Sequence, residues 1–244
     1  MGGIQITVKT IRSLTRGLEI LEAIAARQPI GLTALCTATG EDKSALQRTL
    51  ATLHEAGWIQ PAPGSSPQWE LGAKPIVVSG RARQSSSLQG RARQLLGPLR
   101  DATRETVHLA LLTSTNLVVA DVAEGMQVLR TALPVGQLHP FETSSAGRAI
   151  LAHLNPAQRM ARAQVPEKLM TEAEYDEIRQ RGWASSAGEV LEGSNSIGAA
   201  ILDAAGTPMG AIVISGPASR LTPARCEELG VPLTDTIRAL YHHH

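Results

Sequence analysis

At 244 residues the chain is longer than a typical single domain and fits two modest ones. Its 43% hydrophobic content is that of a globular protein, and no apolar run approaches the ~20 residues that cross a membrane. A formal net charge of +1 and an aromatic content of 2% exclude a uniformly basic nucleic-acid module and a surface of stacked aromatic rings.

The opening MGGIQITVKT lacks the charged start and apolar core of a secretory signal, and Cys36 and Cys226 lie far apart without CxxC spacing. A reducing cytoplasm with buried thiols is expected, with no disulfide, metal pair or cofactor. Ile11, Leu14, Leu18, Leu21 and Ala25 recur at spacings of three and four, which predicts one apolar face of a helix over 11–25. Pro29 and Gly31 end it. Thr33 then caps a short helix over 34–39 that Gly40 terminates. Asp42 caps a third helix, whose inner face is Leu46, Leu50 and Leu53 and which Gly57 closes. WIQ at 58–60 and WEL at 69–71 read as short strands around the loop PAPGSSP. Helix, helix, turn, helix and hairpin is the order of a winged helix-turn-helix.

Over 73–104, Lys74, Arg81, Arg83, Arg91, Arg93, Arg100 and Arg104 stand against a single acid, Asp101. RARQ occurs at 81–84 and again at 91–94. The stretch reads as a linker helix passing into the first helix of a second domain, with a bend at Gly90 or Gly97. Strand-like runs follow at 106–112, 116–122 and 128–133, then helices near 144–154, 156–163 and 171–181. Strands near 196–202 and 209–215 flank DAAGTP, a tight turn, and a helix over 223–240 finishes the pattern. Adjacent strands with segregated helices predict an antiparallel α+β domain. The expected layout is a winged helix over 1–72, a linker helix over 73–90, a second domain over 91–241 and a tag remnant at 242–244.

On the third helix Ser44, Gln47, Arg48 and Ala51 fall at i, i+3, i+4 and i+7, opposite the leucines. Gln can pair with adenine through two hydrogen bonds, Arg with guanine or phosphate, and Ser with phosphate, so this face suits a major groove. On an isolated helix it would be an ordinary solvated face; within the full winged-helix order, DNA reading is the better assignment. Totals do not decide the matter. Across 1–72 the bases Lys9, Arg12, Arg16, Arg27, Lys43 and Arg48 are matched by Glu19, Glu22, Glu41, Asp42, Glu55 and Glu70. Position does: Lys9, Arg12 and Arg16 mark the start of helix one, while Lys43 and Arg48 lie on the reading helix. The candidate DNA contacts are Arg12, Arg16, Thr33, Lys43, Ser44, Gln47, Arg48 and Thr52. So few phosphate contacts bind weakly in a monomer, and a dimer on two half-sites of double-stranded DNA is the physical remedy.

In the second domain Glu142, Thr143, Ser144 and Ser145 stand just before a helix, whose free N–H groups suit a carboxylate; simple capping by one serine is the plainer reading. EGSNSIGAA (192–200) and VISGP (213–217) fit neither a phosphate loop nor a nucleophile elbow. His108, His139 and His153 lack metal-ligand spacing and read as core or capped histidines. The rival class is an enzyme acting on a small acid. Its available groups are Ser144, Ser196 and His108, without a recognisable base–nucleophile arrangement.

IRSLTRGLEILEAIA, GLTALCTATGEDKSALQRTLATLHEAGWI and WELGAK, followed by ETVHLALL, SSAGRAILA, RGWA and AAILDAAGTPMGAIVISGPASRLTPARCEELG, cover nearly the whole chain. Together they resemble the IclR-type bacterial transcriptional regulators. The resemblance implies a GAF-like effector domain with a central antiparallel sheet, dimers or dimers of dimers, no membrane, and a small organic-acid effector. It places effector contacts at His108, Asp121, Glu142, Thr143, Ser144, Ser145, Ala146, Gly147, Ser186, Gly193, Asn195, Ser196, Val213 and Ser215. Ser196 stands where many members carry cysteine, Ser186 where aspartate is common, Val213 where serine occurs and Glu142 where histidine is frequent. Val213 shifts the expected ligand towards a larger, aromatic acid or derivative. Glu142 favours a ligand carrying a donor, because two carboxylates repel.

Overall fold

In the computed structural model, which describes residues 11–64, 66–83 and 88–242, helix α1 (Arg12–Arg27) buries Ile20 and Ile24. The stripe expected from spacing does not face the core: Ile11, Leu14 and Leu18 are 66%, 60% and 53% exposed. The helix carries two apolar rows, and only tertiary contact decides which is buried. The N-terminal segment continues with β1 (Ile30–Gly31), α2 (Leu32–Thr39), α3 (Lys43–Glu55), β2 (Ile59–Pro61) and β3 (Gln68–Leu71). The strands form a three-stranded sheet in the order β1-β3-β2, with Ile30 opposite Trp69 and Ile59 opposite Leu71. Because β1 joins this sheet, α2 starts directly behind it, and Gly31 rather than Thr33 takes the N-cap position. Asp42 does cap α3, its carboxylate accepting from the N–H groups of Ser44 and Ala45, and Gly40 ends α2 at φ 71°. Ile20, Ile24, Leu35, Leu46, Leu50 and Ile59 close the core of this unit.

Helix α4 covers Lys74–Arg83 and α5 covers Leu88–Thr103; the join that a continuous linker helix over 73–90 would need lies outside the described residues. Helix α5 runs through Gly90 and Gly97 without a break, because Ala92, Leu96 and Leu99 anchor it on the sheet behind. The chain divides into compact units of residues 1–85 and 86–244.

The second unit is built on β4 (Thr106–Leu112), β5 (Leu117–Ala123), β6 (Leu138–His139), β7 (Ala184–Ala187), β8 (Ser194–Leu202) and β9 (Pro208–Pro217). They form one six-stranded antiparallel sheet in the order β6-β5-β4-β9-β8-β7. The run at 128–133 is not a strand. Leu138 and His139 occupy the edge of β5 instead, leaving Val128 and Leu129 99% and 66% exposed. One sheet face, with Leu109, Ile197, Ile212 and Ile214, packs against α5 and the last helix α9 (Pro223–His242). The other face, with Ala110, Ala184, Ala211 and Val213, is covered by α6 (Ser145–Leu151) and α8 (Glu172–Arg181), with α7 (Pro156–Arg162) between them in sequence. Helix α6 sits close to β8 because Gly198 has no Cβ, which would lie 2.8 Å from the carbonyl carbon of Ser145.

Candidate functional site

The outer face of α3 presents Lys43, Ser44, Gln47, Arg48, Ala51 and Thr52, all exposed, opposite buried Leu46 and Leu50. Arg12, Arg16, Arg48 and Thr52 line one groove of ≈ 840 Å³ between α1 and α3, with Leu14, Leu18 and Leu21 along its apolar side. Thr33 is exposed on α2, away from that groove's lining. Lys9 lies outside the described residues. The neighbouring acids are not passive. Glu41 pairs with Arg16 at 2.9 Å, and Oδ1 of Asp42 accepts from the Ser44 hydroxyl at 2.8 Å. The Ala45 N–H, with the Ser44 hydroxyl, holds the Asp42 carboxyl below its usual range, so the cap is firmly ionised.

The sheet of the second unit sets up a different kind of site. Register places Ser186, Ser196, Ser215 and Thr106 in one cross-strand row, with Val213 and His108 in the next row on the same face. Above them the loop after β5, strand β6 and the β7–β8 loop close a cavity of ≈ 30 Å³, room for about two water molecules. His108, Ser144, Ser186, Ser196, Val213 and Ser215 line it, together with Thr131, Leu133, His139, Val190, Leu191 and Ser194. Nε2 of His108 accepts from the Leu133 N–H at 3.0 Å. Its proton must therefore sit on Nδ1, 3.3 Å from Ser215 Oγ, which in turn donates to the Thr131 carbonyl at 3.3 Å. Burial, reinforced by His139, pulls the His108 pKa down to about 4, and burial alone brings His139 to about 4.

Other residues expected at the effector site lie elsewhere. Asp121 is opposite Leu109, on the face of the sheet that packs against α5 and α9, and pairs with Arg93 at 2.9 Å. The Glu142 carboxylate is 1% exposed and accepts from the N–H groups of Gln164 and Val165, fixing the loop after α7 rather than lining the cavity. Asn195 faces the opposite side and donates to the Leu221 carbonyl. Ser145 reaches the site indirectly, through Ser196 at 2.8 Å. Thr143 and Ala146 do not line the cavity, and Gly147 is a steric position, its absent Cβ lying 2.2 Å from the Phe141 oxygen. Gly193 turns the β7–β8 loop at φ 76°. Among the residues the sequence did not suggest, Ser194 follows from strand alternation two places before Ser196. Thr131 and Leu133 lie in the run 128–133 that reads as a strand, and His139 reads as a core or capped histidine, so the sequence assigns none of the three to the site.

Residues 13–63 match the IclR helix-turn-helix domain, and residues 81–242 match the C-terminal domain of bacterial IclR transcriptional regulators. The chain belongs to the IclR family. Its IclR relatives include the acetate operon repressor of Salmonella typhimurium, 30% identical over 234 residues that cover 90% of this chain and 85% of the repressor. The regulator BhcR of Paracoccus denitrificans is 30% identical over 241 residues, 94% and 86% of the two chains. An IclR regulator structure from Alicyclobacillus acidocaldarius matches with a TM-score of 0.81 at 21% identity, covering 95% and 98%. An IclR homologue from Microbacterium hydrocarbonoxydans, solved with 4-hydroxybenzoate, matches with a TM-score of 0.74 at 17% identity, covering 93% and 99%. IclR proteins regulate transcription, and this one is a regulator rather than an enzyme. The geometry agrees with that: Nδ1 of His108 carries a proton towards Ser215 and cannot act as its base, while Ser144 Oγ caps α6.

Proposed function

We propose that this IclR protein binds a palindromic double-stranded operator as a dimer or dimer of dimers, in the cytoplasm, and that a small organic acid in the cavity modulates the binding. The observation that carries the DNA reading is the exposed Ser44–Gln47–Arg48 face of α3, joined to Arg12 and Arg16 along one groove. Self-association is supported by apolar side chains left in solvent. Leu14 and Leu18 on α1 are exposed, as are Ile76, Val77 and Val78 on α4, at 74%, 48% and 46%. The cavity has the hydrogen-bonding hydroxyls of an acid site, and the 4-hydroxybenzoate complex of a relative supports an acid, aromatic ones included. A ring needs more than ≈ 30 Å³, so an aromatic effector requires the Val190–Leu191 loop to move aside. Acid that prefers one conformation shifts the population towards it and so changes DNA affinity. Incubating the full-length protein with fragmented genomic DNA of its source, with and without a panel of acids, tests this. Sequence-selective retention altered by an acid is expected; retention no better than non-specific DNA would overturn it.

A further inference from the structure

His139 is 6% exposed and lines the cavity, yet neither Nδ1 nor Nε2 has a hydrogen-bond partner. Among the described residues no other buried side chain carries such an orphaned nitrogen or oxygen. Native folds rarely bury an unpaired polar group unless something completes it. Four of the surrounding hydroxyls already have partners: Ser144 with the Pro140 carbonyl, Ser194 with the Gly216 carbonyl, Ser196 with Ser145, and Ser215 with Thr131.

The wall of the cavity holds no Lys, Arg, Asp or Glu. The charged groups nearby point into other bonds. Glu142 is held by Gln164 and Val165, Arg148 by Glu189 and the Glu142 and Ser185 carbonyls, and Arg162 lies over the Phe141 ring. On β5, opposite His139, stands Leu117. Burial keeps both imidazoles neutral near pH 7. An organic anion entering alone would meet the cavity's hydroxyls but no opposite charge, and a buried charge without a counter-charge is costly. A proton entering with it would supply that counter-charge. His108 is unsuited to take that proton, because its Nε2 accepts the Leu133 N–H and would have to give that bond up. His139 has no bond to a protein group to give up.

We infer that His139 is the acid-recognition residue of this cavity, taking up one proton from solvent as the acid binds and meeting its carboxylate as an imidazolium. The anion and the proton enter together, a charge-assisted N–H···O bond forms, and on release the proton returns to water. The inference rests on reading the cavity as the acid sensor. It predicts that affinity for an acid falls about tenfold per pH unit above the ligand-free imidazole value, until the pKa of the bound pair is passed.

Calorimetric titration of the full-length protein with acetate and with benzoate, at pH 6 to 8 in buffers of different ionisation heat, tests it. The wild type is expected to take up close to one proton per acid bound. His139→Gln and His139→Asn keep a neutral polar side chain, and are expected to bind more weakly, with proton uptake near zero and affinity independent of pH. Binding without proton uptake in the wild type would overturn the inference while leaving the acid sensor intact. Uptake of one proton persisting in both variants, with their melting midpoints showing them folded, would overturn it by placing the proton elsewhere. Absence of any binding by either acid would instead overturn the sensor reading, and the inference with it.

Discussion

The Leu133 N–H donates to Nε2 of His108 across 3.0 Å, tying the irregular segment after β5 to the centre of the sheet. The bond requires a neutral imidazole, and burial holds the pKa at about 4 against an ordinary 6.5. Above pH 6.5 the folded and unfolded chains are both neutral at this site, and the full contribution is present. As the pH falls from 6.5 towards 4, the unfolded chain takes a proton that the folded one refuses, and stability declines. His139 adds in the same direction. Urea unfolding should show a loss on the order of 2 kcal/mol for each ring between about pH 7 and 5, a window above ordinary carboxylate titration. A flat profile there would contradict neutral burial of both rings.

Gly147 lies at the start of α6, where an added Cβ would meet the Phe141 oxygen at 2.2 Å and the Phe141 Cα at 2.5 Å. Both are backbone atoms and cannot swing away. Gly147→Ala should destabilise the second unit by about 3 kcal/mol or more, lowering its melting midpoint by several degrees. A variant melting like the wild type would show that this turn has slack.

Arg148 and Glu189 form a bidentate pair, Nη1 to Oε2 at 2.7 Å and Nη2 to Oε1 at 2.6 Å, which fastens the β7–β8 loop above the cavity. Gly188 and Gly193 flank the loop at φ 74° and 76°. The pair is partly solvated, so Glu189→Ala should cost no more than about 1 kcal/mol of stability. Its larger effect is expected on access: amides 189–192 exchange faster, and acetate associates faster, than in the wild type. Unchanged exchange would mean that the loop is held by Val190 and Leu191 alone.

The two-part α+β fold could be read from the sequence because its signals are local. Asp42 before Leu46 and Leu50, the glycine stop at Gly40, and the long runs 106–112 and 209–215 each specify an element within a few residues. What could not be read depends on partners distant in the chain. Ile30–Gly31 becomes a strand only because β3, some forty residues on, offers it an edge. Val128 and Leu129 look like a strand but lose the edge of β5 to Leu138–His139. The same holds for the cavity. Ser186, Ser196 and Ser215 meet through strand register, whereas the parity of Asp121, set by its pairing with Leu109, turns it to the far face. Glu142 carries no local sign that it binds the backbone at 164 and 165.

The proposed reading face of α3 carries two exposed cations, Lys43 and Arg48. Fluorescence anisotropy on the most strongly retained genomic fragment, with wild type and Arg48→Ala across a salt series, tests the reading role directly. Arg48→Ala should cost about 1–3 kcal/mol of binding free energy per contact, roughly ten- to a hundredfold in affinity. If the contact is to phosphate, the log–log salt slope should fall by about one per subunit. The melting midpoint should stay unchanged, since the side chain is exposed. Equal affinity and equal salt slope for the two proteins would contradict DNA reading by this helix.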